Sequence, residues 1–69
     1  MTDNTEKAKQ ILGYLEVLID KEKDIDRKYA LYAARDNMII AIRRLEADDL
    51  DNAGRYIKAA HKAFLEVRA

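Results

Sequence analysis

Nucleophilic catalysis in proteins runs on serine, cysteine or threonine set beside a base, and this 69-residue chain has neither serine nor cysteine. Its threonines are Thr2 and Thr5, at what reads as a frayed start, and its one histidine is His61. An imidazole that works as a base needs a group to orient it. One helical turn away from His61 stand Ile57, Lys58, Phe64 and Leu65, and none offers a carboxylate. His61 therefore reads as a boundary residue beside an Ala60 and Phe64 core. Asp48, Asp49 and Asp51 crowd three carboxylates together. A calcium loop alternates oxygen ligands around a glycine turn and closes on a glutamate, and that pattern is missing here. The three acids fit the start of a helix, where the dipole is positive. Gly13 and Gly54 stand alone, so there is no glycine-rich phosphate loop. No catalysis, cofactor or metal is expected.

What remains is binding chemistry. Tyr29 and Tyr32 lie one helical turn apart beside Ile25, with Arg27 and Arg35 flanking them. Tyrosine and arginine are enriched in binding hot spots, so Ile25, Tyr29, Tyr32 and Arg35 are candidates for contact with a partner protein; the equal alternative is that the first helix covers the two tyrosines. A second group, Arg43, Arg44, Arg55, Lys58 and Lys62, forms a basic ridge suited to an anionic partner. Against nucleic acid stand a formal net charge of zero, Asp51 on the same ridge, and the lack of a helix-turn-helix pattern. The ridge is read as a solvated face.

Helices must position these residues, since nothing in the chain reads as a strand. Ala8, Ile11, Leu12, Leu15, Leu18 and Ile19 recur at the spacing of a helix buried along one side, with Tyr14 and Val17 widening that side. Asp3 or Thr5 would cap it. Gly13 falls inside the pattern at a cost of about 1 kcal/mol against alanine; close approach of another helix is the expected reason. Continuing the stripe beyond Ile19 lands on Glu22, Lys23 and Asp26, which predicts a turn near residues 21–25 with Asp24 or Asp26 capping the next helix. That central helix has two apolar stripes. One is Leu31, Ala34, Met38, Ala41, Ile42 and Leu45; the other is Ile25, Tyr29, Tyr32 and Ile39, with Ile40 nearby. Two apolar sides require two neighbours. Leu50, Ala53, Ile57, Ala60, Phe64 and Val67 then mark a third helix capped by Asp48 or Asp49. The helices are expected over residues 5–21, 25–47 and 49–67 of a single domain.

Asn37 to Leu65 resembles a tetratricopeptide helix pair. Ile40, Ala41, Leu50, Ala53, Ile57 and Ala60 fall where that motif keeps apolar or small residues. The resemblance covers under half of the chain and departs at Asn37, Arg44 and Leu65, where the motif has two aromatics and a proline. It implies a helical hairpin.

A core in a chain below ~70–80 residues rarely supplies more than about 3–5 kcal/mol. Disulfides are excluded and a structural metal has almost no ligands, so self-association is the expected supplement. Residues 1–26 carry a net −3, from four lysines against seven carboxylates, and the remainder a net +3, from nine cations against six. Electrostatic pairing of the halves, within or between chains, follows. With no leader and no long apolar run, the expected location is the cytoplasm.

The sequence thus predicts an all-α protein, a two- or three-helix antiparallel hairpin or bundle completed by homodimerisation. Its expected role is that of a non-catalytic protein–protein interaction module, a regulator or inhibitor of the kind phages encode. The alternatives are an oligomeric sponge for an anionic small molecule such as a nucleotide, or a nucleic-acid-associated accessory protein.

Overall fold

In the computed structural model the chain is described over residues 2–68, and its side chains over residues 4–67. Three helices follow one another, α1 at Thr2–Lys21, α2 at Ile25–Glu46 and α3 at Leu50–Arg68. The described residues contain no strand.

α1 begins earlier than expected. Asp3 and Thr5 lie inside it, so neither is its cap; the Asp3 side chain is outside the described residues. The first break comes at residues 22–24, where the apolar stripe of α1 runs out. Asp24 caps α2: its backbone is extended, and its Oδ1 accepts hydrogen bonds from the Asp26 N–H at 2.9 Å and the Arg27 N–H at 3.1 Å. Two amides that α2 leaves without an intrahelical partner are thereby satisfied.

The second break has a different origin. The Asp48 N–H donates to the Leu45 carbonyl and the Asp49 N–H to the Arg44 carbonyl, which is the Schellman pattern that closes a helix C-terminus. That pattern needs a left-handed residue, and Asp48 takes it at φ 60°. Aspartate tolerates this region better than most residues. Asp49 then starts α3, its Oδ1 accepting from the Asn52 N–H at 3.4 Å and its Oδ2 from the Asn52 side-chain amide at 2.7 Å.

With both connections this short, the helices run up, down and up. Lys9 and Glu46 form an ion pair at 3.6 Å between the beginning of α1 and the end of α2. α2 packs against both neighbours, and more extensively against α3. No Cα of α1 lies within 8 Å of a Cα of α3 among the described residues. The result is an elongated slab, 36 × 18 × 14 Å.

One core runs through it. Leu31, Ala34, Met38, Ala41 and Ile42 of α2 are buried, against Ala8, Leu15 and Ile19 of α1 and Ala60 of α3. Alanine supplies much of this set, which lets the outer helices come close to α2. Several expected core positions lie outside it. Ile11, Tyr14, Val17, Leu50 and Ile57 are exposed, because α1 and α3 each have α2 as their one neighbour and so can bury only the side that faces it. Gly13 is exposed as well, and a Cβ added there would meet nothing within 4 Å, so it is not a point of close helix approach.

Candidate binding surfaces

Three surfaces hold the residues of interest. The tyrosine surface lies on the side of α2 away from the core: Tyr29 and Met38 are nine residues apart, about two and a half turns, so they project in opposite directions. Ile25 and Tyr29 are 67% and 66% exposed, and α1 does not cover them. Tyr32 is half-buried and packs against the core. The Tyr29 and Tyr32 rings meet edge to face, with centroids 6.2 Å apart. The Arg35 guanidinium carbon sits 4.9 Å from the centre of the Tyr32 ring, and the Asp36 carboxylate holds it there through contacts from Nε at 3.1 Å and Nη2 at 3.0 Å. A cation over an aromatic face is attracted by the ring quadrupole. The patch is therefore a convex group of aromatic and cationic side chains in mutual contact.

The basic ridge is divided. Arg43, Arg44, Arg55, Lys58 and Lys62 are all exposed. Arg44 and Arg55 stand near Asp49. That carboxyl is held below the usual range chiefly by the hydrogen bond from the Asn52 side chain, helped by the Asn52 N–H and the two guanidinium charges against a smaller desolvation penalty. Part of the ridge charge is thus answered within the chain. Among the described residues no group of three or more acidic, histidine or cysteine side chains is placed to hold a metal ion.

The third surface was not visible in the sequence. Because α1 and α3 stand apart, a trough runs between them with α2 as its floor. Its deeper part, of about 180 Å³, is lined by Ile11, Tyr14 and Leu15 from α1, Met38 from α2, and Ile57, Ala60, His61 and Phe64 from α3. A more open hollow of about 310 Å³ shares Ile11, Met38 and Ile57 and continues past Lys7 and Asn4 to Leu45. His61, expected at the edge of a core, stands on the trough wall. The lining is apolar apart from Asn4, Lys7, His61 and the Tyr14 hydroxyl, and no carboxylate belongs to it. Its deep part is smaller than the ~300–1,000 Å³ of typical small-molecule sites. It suits inserted side chains better than a nucleotide.

The signal for the trough is a second stripe on each outer helix, Lys7, Ile11, Tyr14 and Leu18 on α1 and Leu50, Gly54, Ile57, His61 and Phe64 on α3, of which Lys7, Ile11, Tyr14, Ile57, His61 and Phe64 line it while Leu18 and Phe64 also pack on the core. Each stripe keeps the alternating 3-and-4 spacing of a helix–helix seam. One neighbour uses one stripe, and the other is left over.

No helix of the described residues is long and apolar enough to cross a membrane. Comparison with protein-family models, curated proteins and solved structures finds no match to this chain, so the tetratricopeptide resemblance goes no further than a helical hairpin.

Proposed function

We propose that this chain is a non-catalytic protein–protein interaction module, a cytoplasmic regulator or inhibitor of the kind phages encode, which acts as a homodimer and grips a partner protein through its tyrosine surface. The observation that carries this reading is the ordered group of Ile25, Tyr29, Tyr32 and Arg35. Two large apolar side chains project into solvent beside an arginine already fixed over an aromatic ring. Preorganised side chains lose little entropy on binding, and tyrosine with arginine is the composition of a hot spot.

Affinity capture with the wild-type chain and with Tyr29→Glu tests it. A protein retained by the wild type and lost with the variant, at equal thermal stability, supports the reading. A nucleotide retained by the purified protein in native mass spectrometry, with no protein retained, would replace it with the anion-sponge alternative.

A further inference from the structure

We propose that the trough between α1 and α3 is the seam of a two-fold homodimer, filled by α3 of a second copy. This rests on the self-association read above and goes beyond it by naming the face and the helix.

The first support is area. The chain exposes 5087 Å² at a mass of 8.0 kDa. A compact monomer of that mass exposes about 4,450 Å², which leaves a surplus of about 600 Å². A standard interface covers about 800 Å² on each partner. The surplus is therefore of the size that one interface removes, and a two-fold contact removes it from both copies at once.

The second is what the monomer leaves unburied. Leu15, Ile19, Leu31, Met38 and Ile42 are buried, but of the aromatic side chains Tyr32, Tyr56 and Phe64 are half-buried and Tyr14 is 59% exposed. Ile11 and Ile57, at 48% and 38% exposure, face the trough from opposite walls.

The third identifies the occupant. A trough between two helices on the floor of a third is the position of a missing fourth helix, and that helix must present an apolar seam. α3 presents one: Leu50, Gly54, Ile57, His61 and Phe64, about 21 Å long at the helical rise of 1.5 Å per residue. Gly54 within it has no use in the monomer, because a Cβ there would meet nothing within 4 Å. Between two α3 helices, the missing side chain permits close approach. Charge does not oppose the pairing strongly. Among the described residues Lys7 is the one lysine, arginine, aspartate or glutamate lining the trough, and a lysine at an open edge keeps its ammonium in water.

Sedimentation velocity of the wild-type chain is expected to show a species of twice 8.0 kDa in the micromolar range. Ile57→Asp, a change at a solvent-facing position of the monomer, should weaken the dimer more than about tenfold while circular dichroism stays helical. Gly54→Ala keeps the test valid even if that variant unfolds: it suits the isolated helix yet should weaken the dimer. In the wild type, diluting through the dissociation range should move the methyl resonances of Ile11 and Ile57 and leave that of Ile25 in place. Raising salt should not dissociate the complex. Pairing of the acidic and basic halves of the chain would make it salt-sensitive, and that result overturns the apolar seam. A dimer in which Ile25 moves and Ile57 does not overturns the trough as the seam and leaves self-association standing. A wild-type species that stays at monomer mass overturns both, while partner capture through Tyr29 is read independently.

Discussion

The tyrosine surface and the trough expose side chains of the same kind, aliphatic and tyrosine, Ile25 and Tyr29 more fully than Ile11, Tyr14 and Ile57, and their shapes are opposite. Ile25 and Tyr29 stand on the convex outer side of α2, with Asp36 and Arg35 beside them. Ile11, Tyr14 and Ile57 rim a concavity whose floor is the buried Met38. A convex apolar group needs a pocket on something else, whereas a concave one needs a ridge. This chain has a ridge with the spacing of a helix seam on α3, and Tyr29 stands on the opposite side of α2 from the trough floor at Met38. On the two proposals, shape more than composition separates the self-contact from the contact with another protein.

The comparison is broken most completely by removing what both surfaces stand on. Leu31 is 1% exposed, at the centre of the core on α2. Leu31→Ala should cost about 2–5 kcal/mol, comparable with the whole stability available to so small a domain. Loss of the cooperative thermal transition, with loss of dimer and of partner capture, is the expected result. A variant that melts near the wild-type temperature would show that the core lies elsewhere.

The two tyrosines divide the outer surface. Tyr29→Ala should leave folding stability within about 0.5 kcal/mol, as exposed positions do, and weaken partner binding by about 2 kcal/mol or more. Tyr32→Ala should lose about 0.8–1.5 kcal/mol of stability, roughly half of what a fully buried side chain contributes, and release Arg35 from its ring. Denaturant titration of both variants checks the split. Equal destabilisation would make the pair a core element and remove the case for a partner surface.

The all-helical class, a break near residues 21–25 and the inner stripe of α2 are legible in the sequence, because helical periodicity is local; the choice of three helices over two, and of Asp24 over Asp26 as the cap, is settled by the structure. The fate of Ile11, Tyr14, Leu50 and Ile57 is not legible. Periodicity says which residues share a side of a helix, not whether anything covers that side, and the separation of α1 from α3 is a tertiary fact. The neighbours of His61 along α3 say nothing of Ile11 and Tyr14, which line the same hollow from a different helix. Asp48 was missed as a left-handed residue because helix ends are usually announced by glycine. The tyrosine group was legible as a cluster, but the hold of Asp36 on Arg35 that orders it was not.

The two glycines sharpen the comparison further. Gly13 and Gly54 are both helical, and at neither would a Cβ meet another atom within 4 Å. Each should gain about 1 kcal/mol of monomer stability on change to alanine. Neither glycine is among the residues lining the trough, but Gly54 falls in the proposed α3 seam and Gly13 lies off the Lys7, Ile11 and Tyr14 side of α1, so Gly13→Ala should raise the melting temperature and leave the dimer constant unchanged. Gly54→Ala should raise the first and weaken the second. Equal behaviour of the two in sedimentation would detach Gly54 from the seam.

The smallest effect belongs to the turn that leads into α3, the helix bearing the seam. Asp49 is partly exposed, and its carboxyl is held below the usual range by the Asn52 side chain first, with the Asn52 N–H, Arg44 and Arg55 adding to the effect. A carboxyl whose folded pKa is depressed contributes stability that is present above the unfolded value, about 4 for aspartate, and is lost as pH falls through the lower folded value. The melting temperature should therefore fall as acid is added below about pH 4, in part through Asp49. Asn at this position still caps a helix but does not titrate, so Asp49→Asn should flatten that part of the profile while leaving the helix start in place. Because α3 carries Ile57, its fraying at low pH should appear in the dimer constant as well, whereas Tyr29 on α2 should bind its partner unchanged until the whole domain melts. Identical acid profiles for the variant and the wild type would show that the Asn52 contact does not form in solution.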